Sequence, residues 1–405
     1  MASFRTLDEA NVKGRRVLLR VDLNVPTENG KVTDATRIEA VAPTIKEIAD
    51  KGGKVILLAH FGRPKGRDPK ESLKPIAAAA ARIVGRPIGF AEGCIGDVAE
   101  KAVAAMQPGD ILCLENTRFH EGEAKNDAQF VAALAKLGDI YVNDAFSAAH
   151  RANASTEGLG RVLPAYAGRA MQAELDALEK ALTAPQRPLA AIVGGAKIST
   201  KLDLLGNLLA KVETLIIGGG MANTFLAAQG KAIGKSLSES DLIPAARAIL
   251  AKAKQTRREL VLPVDAVVAE KFAAHAPSRV VSVDEVGATE MILDIGPRSV
   301  EHVVSVLARS KTLVWNGPFG AFEMEPFDRG TVEVAEAAAE LTAAGKLVSI
   351  AGGGDTLAAL NAAGAAGRFT YTSTAGGAFL EWLEGKALPG VEVLKLTPTP
   401  APACR

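Results

Sequence analysis

Short runs of Val, Ile and Leu alternate along the chain with longer Ala-rich stretches. The runs VLLRVDLN, KVILLAHFGR, ILCLENTR and IYVNDAFSAAHR fall in the first half. LAAIVGGAK, TLIIGGG, LVWNGPFG, LVSIAGGGDT and FTYTSTAGG fall in the second. Between such runs, ATRIEAVAPTIKEIAD, PIAAAAARIV, AQFVAALAKLG and TKLDLLGNLLAKV are amphipathic at helical spacing. This βαβ rhythm predicts parallel sheets with right-handed crossovers. The rhythm breaks from about Thr156 to Arg187, where GLGRVLPAYAG, the helical MQAELDALEKALTA and PQRP follow one another. A domain joint is expected there, with the helix as connector. The fold class predicted is α/β: two doubly wound, Rossmann-like parallel-sheet domains joined by a connecting helix and hinge.

The runs of the two halves end differently. In the first half they stop at Asp22 and Asn24, His60 and Arg63, Asn116 and Arg118, and His150 and Arg151, mostly side chains suited to gripping an anion. In the second half they stop at Gly194 and Gly195, Gly218 to Gly220, Gly317, Gly352 to Gly354, and Gly376 and Gly377. Such loops let backbone approach a ligand closely. Ligands of open α/β sheets bind outside the carboxyl ends of the strands, so each half is expected to build its own site. Two unlike sites suggest group transfer.

Composition narrows the field. At 405 residues the chain exceeds what one core usually organises, so two domains are expected. With 47 basic against 46 acidic residues the net charge is +1, and no global field favours nucleic acid or a membrane surface. Cys94, Cys113 and Cys404 have no metal-type spacing, which fits a reducing cytoplasm. The start MASFRTLDEANVKGRR has no apolar signal core, and no run is long enough for a membrane helix, so a soluble, unexported protein is expected. The tail KLTPTPAPACR is proline-rich, and its last residues are expected to be mobile.

In AAIVGGAKISTKLDLLGNLLAKV a strand runs into Gly194 and Gly195, and a helix is expected to begin near Ser199, with Lys197 before it and Lys201 in its first turn. Basic groups at a helix start oppose the dipole unless an anion is bound, so phosphate is favoured over two solvated lysines. The spacing is not that of a P-loop. AGGGDT offers backbone N–H groups to phosphate and Asp355 to Mg²⁺, or alternatively a tight turn capped by Asp355. WNGPFGAFE adds Asn316 as a phosphate or nucleotide contact, and Glu323 as an acceptor for ribose hydroxyls or a solvated surface carboxylate.

In the first half Arg37 opens a helix after the cap candidate Asp34, and Arg63, Arg118 and Arg151 follow strand ends. Four guanidiniums on one sheet edge would repel without an anion, and Arg prefers bidentate phosphate or carboxylate partners. A phosphorylated carboxylic acid would satisfy them. His60 and His150 could donate to the same ligand or be structural, and Asp22 and Asn24 could hold a substrate hydroxyl or cap the turn.

Together, RVDLNVP, LLAHFGRPKG, LENTRFH, NDAFSAAHRANAST, GGAKISTKLDLLGNLL, IGGGMANTFL, WNGPFGAFE, AGGGDT and STAGGAFLEWLEG resemble the phosphoglycerate kinase family, in order, from about Leu7 to Leu394. The resemblance implies a two-lobed, monomeric, cytoplasmic hinge enzyme of glycolysis. One lobe, 1–170 with the terminal segment of about 386–405, would bind 3-phosphoglycerate or 1,3-bisphosphoglycerate. The other, 171–385, would bind Mg²⁺ with ADP or ATP, and a phosphoryl group would pass reversibly between them. Asp22, Leu23 and Asn24 would meet the triose, and His60, Phe61, Gly62, Arg63, Arg118 and Arg151 its phosphate. Arg37 would lie at the carboxyl end. Lys197, Gly376 and Gly377 would meet the moving phosphoryl. Lys201, Gly219, Asn316, Glu323, Gly353, Gly354, Asp355 and Thr356 would hold the nucleotide, with Asp355 on the magnesium. Ala375 stands where the family usually has a glycine, Asn153 where it often has histidine, and Ser147 and Ala148 where it often has Gly-Thr. A nicotinamide dehydrogenase would need a clean G-x-G-x-x-G after a strand, and a non-catalytic two-lobed binding protein would normally be exported.

Overall fold

The computed structural model describes residues 4–395, so the proline-rich end and Cys404 lie outside the described residues. The chain divides into two compact units, Met1–Asp176 with Ala387–Arg405, and Ala177–Lys386. The division falls inside the helix Arg169–Leu178.

The first unit has strands β1 Arg16–Arg20, β2 Thr27–Glu28, β3 Lys31–Val32, β4 Lys54–Leu58, β5 Gly89–Ala91, β6 Ile111–Leu114, β7 Ile140–Asn143 and β8 Ala165–Ala167. Six of them form one sheet in the order β5-β6-β4-β1-β7-β8, all pairings parallel. β2 and β3 make a separate two-residue ladder. Strands β6 and β7 are buried at every position, as expected of a sheet covered on both faces by helices. The helices Thr36–Asp50 and Lys74–Val84 bury Ile38, Ile45, Ile48 and Ile76 against β1 and β4 side chains. Leu394 O accepts from Arg5 N at 3.2 Å, and Gly390 O from Asn143 Nδ2 at 3.0 Å, which ties the last described residues to this unit.

The second unit has β9 Leu189–Val193, β10 Thr214–Ile217, β11 Glu259–Val261, β12 Asp265–Ala269, β13 Ser278–Ser282, β14 Met291–Ile295, β15 Thr312–Asn316, β16 Val348–Gly352 and β17 Tyr371–Ser373. Its main sheet is again parallel, in the order β11-β10-β9-β15-β16-β17. The sequence rhythm did not foretell the antiparallel sheet β13-β12-β14. Its strands are partly exposed and its packed face is small, Ala266, Val268, Val281 and Val286, so no long apolar run marks it.

In each main sheet the order reverses beside the first strand, between β1 and β7 and between β9 and β15. These reversals open the crevices in which α/β proteins bind ligands.

Candidate active site

At the first crevice, Asp22 follows β1 and Ser147 follows β7. The Ser147 hydroxyl donates to Asp22 Oδ2, and the same oxygen pairs with Arg37 Nη1 at 3.1 Å. Arg37 lies in the first turn of the helix Thr36–Asp50 and donates to Asn24 O at 2.9 Å. Asp34 is not the N-cap, which is Ala35. Its carboxylate sits one residue earlier and accepts from Thr36 N at 2.9 Å.

Asn24 Oδ1 accepts from Gly62 N at 2.9 Å, and Arg118 Nη1 donates to Gly62 O at 2.6 Å. Asn116 Oδ1 accepts from Phe61 N at 3.2 Å and from Arg118 N at 3.0 Å. The loops after β1, β4 and β6 are therefore laced together. Leu23 is buried. Arg63 and Arg151 are exposed, and Arg151 Nε reaches His150 Nε2 at 3.1 Å.

His60 is nearly buried. Burial, and then the guanidiniums of Arg20, Arg118, Arg151 and Arg37, push its imidazole down to about 2. Arg20 was not singled out from sequence. It is 1% exposed and donates to Ser155 Oγ at 2.9 Å, Val21 O at 2.6 Å and His60 Nδ1 at 2.7 Å. Ser155 in turn donates to the buried carboxylate of Glu123. Burial, with Arg151 and Arg20, holds Arg118 below the ordinary guanidinium value. The result is a strand edge with concentrated positive charge and a neutral imidazole at its centre.

The second crevice is built from backbone. A Cβ on Gly194 would strike the backbone of Gly317 and Pro318, and one on Gly218 the Phe319 ring. Gly219 has φ +68°, and a Cβ there would lie 2.6 Å from Gly195 N. These glycines let the loops after β9, β10 and β15 pack on one another, a role that ligand approach does not explain. Gly354 and Gly376, by contrast, face open space.

The helix expected near Ser199 starts at Leu202, and Lys201 is its N-cap residue rather than part of its first turn. The delay has a local cause: Ser199 N and Oγ both donate to the Glu239 carboxylate, which holds Lys197–Thr200 out of the helix. Lys197 is exposed. Lys201 Nζ donates to Gly194 O at 2.6 Å, Asn316 Oδ1 at 2.7 Å and Asn316 O at 3.4 Å. Burial pushes its ammonium down to about 8, against the attraction of Asp355. Asn316 is itself internal, donating from Nδ2 to Gly352 O at 2.7 Å. Thr356 Oγ1 accepts from Gly317 N at 2.7 Å. Lys201, Asn316 and Thr356 thus brace the loops from within.

A cavity of about 510 Å³ opens above this floor. Gly219, Glu323 and Asp355 line it, as do Ala196, Leu237, Phe272, Met291 and Pro318, which sequence reasoning missed. Phe272 and Met291 come with the antiparallel sheet, so no strand-end signal could have found them. Asp294 also lines the cavity. Its oxygens accept from Ile295 N at 2.8 Å and Gly330 N at 2.7 Å, and burial raises its carboxyl to about 8.

Gly353 has φ +104° and is the N-cap of the helix Gly354–Ala362, whose first turn carries the exposed Asp355. Among the described residues no three His, Cys, Asp or Glu converge as a metal cage. A single carboxylate beside free helix N–H groups fits a Mg²⁺ held mainly by phosphates and water. Gly376 is the N-cap of the helix Gly377–Leu383 and lies outside the cavity lining. Ala375 is not among the positive-φ residues, and its N–H donates to Ser373 Oγ at 3.2 Å. Its methyl group is therefore accommodated without backbone strain.

Known proteins share this architecture. A family model described as phosphoglycerate kinase matches residues 7–386. Phosphoglycerate kinase of Bradyrhizobium diazoefficiens is 69% identical over 393 residues, 97% of this chain and 99% of the relative. That of Rhodopseudomonas palustris is 67% identical over 394 residues, again 97% and 99%. The solved phosphoglycerate kinase of Coxiella burnetii superposes with a TM-score of 0.89 at 42% identity, over 96% of this chain and 98% of that one. The chain therefore belongs to the phosphoglycerate kinase family.

Proposed function

We propose that the chain transfers a phosphoryl group reversibly between 1,3-bisphosphoglycerate and ADP, giving 3-phosphoglycerate and ATP, with magnesium bound alongside the nucleotide. The observation that carries this reading is the buried His60, which takes a hydrogen bond at Nδ1 from Arg20 Nη2 at 2.7 Å and feels the positive charge of Arg20, Arg118, Arg151 and Arg37. A small dianionic ligand at that edge relieves the repulsion, and His60 can donate to it from Nε2.

Asp22 and Asn24 take the triose hydroxyl end, with Leu23 between them. The loop of Phe61, Gly62 and Arg63 joins Arg118 and Arg151 around its phosphate. Lys201 and Gly353 to Thr356 hold the nucleotide phosphates, Gly219 and Asn316 shape the loops beneath them, and Glu323 meets the ribose. Asp355 would hold the Mg²⁺, which when bound neutralises charge on the nucleotide phosphates.

A carboxylate oxygen of 3-phosphoglycerate attacks the terminal phosphorus of ATP, the bond to the ADP oxygen breaks, and ADP leaves with that electron pair. The reverse reaction retraces the path. The carboxylate nucleophile needs no general base, so catalysis rests on alignment and on charge stabilisation by Arg37 and Lys197, with backbone N–H groups of Gly376 and Gly377. Water is the competing acceptor, and its exclusion favours transfer over hydrolysis. We also read the protein as a cytoplasmic monomer. Buried Cys94 and Cys113, each raised to about 12 by burial, support a reducing compartment. Among the described residues no helix is long and apolar enough to cross a membrane.

The test couples 3-phosphoglycerate and Mg-ATP to reductive consumption of 1,3-bisphosphoglycerate, beside Arg37→Ala. Turnover that falls far more than nucleotide affinity in Arg37→Ala supports the roles given. Equal losses in both would reject the role of Arg37, and no turnover by the native chain would reject the reaction.

A further inference from the structure

Ala196 lines the cavity of about 510 Å³ with Gly219 and Gly220, and Lys197 follows it on an exposed turn. Lys197 O accepts from Thr200 Oγ1 at 3.0 Å, and Ile198 O accepts from Lys201 N at 2.8 Å, which closes the turn. Ser199 is a good N-cap residue type, yet its hydroxyl does not cap the helix that follows. Its Oγ and N both donate to the Glu239 carboxylate, N at 3.0 Å. Glu239 is itself anchored. Its N donates at 3.0 Å to Oγ1 of Thr224, which is buried on the helix Gly219–Ala228, and Asn223 beside it donates from Nδ2 to Leu237 O at 3.0 Å. The buried helix thus fixes residues 237–239, and Glu239 fixes Ser199. Burial would raise the Glu239 carboxyl, but the Ser199 hydroxyl, the N–H groups of Ser199 and Ile198, and the charge of Lys197 outweigh it and hold the carboxyl below its ordinary value. Without this carboxylate Ser199 is free to cap, and the helix can begin at Thr200 instead of Leu202. Lys197 would then be redirected beside the positive end of the helix dipole, where an ammonium is disfavoured.

We propose that Glu239 is a positioning residue for the transfer step: by holding Ser199 it keeps residues 197–200 out of the helix, so that the Lys197 ammonium is presented to the moving phosphoryl group. The inference rests on the reading of Lys197 as a stabiliser of that group. Glu239 touches neither substrate nor reacting atoms and acts only through Lys197. Nucleotide affinity, carried by Lys201 and the loop of Gly353 to Thr356, does not depend on it. A loss at Glu239 therefore falls on the rate of transfer and not on binding.

The test measures the single-turnover rate of transfer from Mg-ATP to 3-phosphoglycerate, and the KM for Mg-ATP, in the native enzyme, Glu239→Ala, Glu239→Gln, Lys197→Ala and the double variant Glu239→Ala/Lys197→Ala. Glu239→Ala is expected to slow transfer roughly tenfold, the scale of lost hydrogen bonds to a charged group, with KM within about twofold of native. Glu239→Gln keeps an acceptor for Ser199 and is expected to recover to within about threefold of native. The double variant is expected to be no slower than Lys197→Ala, since a residue that acts through Lys197 has nothing left to act on. A native transfer rate in folded Glu239→Ala overturns the inference, as do losses in the double variant that multiply. If Glu239→Ala fails to fold, Ser199→Ala at its exposed position decides, with a loss of about threefold expected and an unchanged rate overturning the inference. A native rate in Lys197→Ala rejects the reading of Lys197 and this inference together, whereas a slow Lys197→Ala beside a native-rate Glu239→Ala rejects this inference only.

Discussion

Arg20 donates from Nη2 to Nδ1 of His60 across 2.7 Å, and because a guanidinium can only donate, the imidazole proton resides on Nε2. Arg20→Met should therefore loosen His60 and leave the buried Glu123 without its neighbouring cation. Losing one member of a buried charged network costs roughly 3 kcal/mol or more. Urea unfolding should show that loss, and the KM for 3-phosphoglycerate should rise about tenfold while that for ATP stays put. Native stability and native KM in Arg20→Met would contradict the relay.

The same environment predicts an acid limb of stability. The folded His60 pKa lies near 2, below the unfolded value, so under pH about 6.5 the unfolded chain takes up a proton that the folded chain does not. This contribution is complete above pH 6.5 and is lost as pH falls, at up to about 1.4 kcal/mol per pH unit. His60→Gln should flatten the slope of unfolding free energy between about pH 6.5 and pH 4.5, measured by urea titration.

Lys201 titrates near 8 without ligand, and a phosphate favours its charged form. Nucleotide affinity should therefore weaken as pH rises through 8, approaching a tenfold loss per unit once the lysine is mostly neutral in the free enzyme. Calorimetric titration of Mg-ADP from about pH 6.5 to pH 9.5 checks this. A flat affinity in the native enzyme, or the same slope in Lys201→Met, would count against it.

Two glycines of the second unit should respond oppositely to a methyl group. Gly219→Ala forces a Cβ onto Gly195 backbone at φ +68°, so it should destabilise the fold by about 1–3 kcal/mol and distort the cavity. Gly354 faces open space, so Gly354→Ala should leave thermal unfolding unchanged. Any weakening of nucleotide binding there would report direct contact with the ligand.

Ala375→Gly should leave activity intact and lower stability by about 0.4–1 kcal/mol, because the native backbone accommodates Ala and glycine adds unfolded-state entropy. A large gain in kcat would show that the methyl group obstructs the reaction.

The α/β class and its parallel sheets were legible because apolar runs and amphipathic stretches alternate without ambiguity. What sequence could not convey was pairing at a distance. Arg20 sits inside the β1 run as an apparent interruption, and its meaning depends on Ser155, far along the chain, and on His60. The glycine clusters announced close approach but not of what: several meet another loop, and a few meet solvent. The helix start at Leu202 was missed because Glu239, in a separate segment, holds Ser199.

The cavity wall has two origins. Its floor comes from loops of the parallel sheet locked backbone to backbone, whereas Met291 and Phe272 arrive with the antiparallel strands β12 to β14. Side-chain changes in the second part leave the glycine contacts of the first untouched. The lining contributed by the antiparallel strands can therefore be recut, by a lineage or an engineer, without disturbing the framework beneath it.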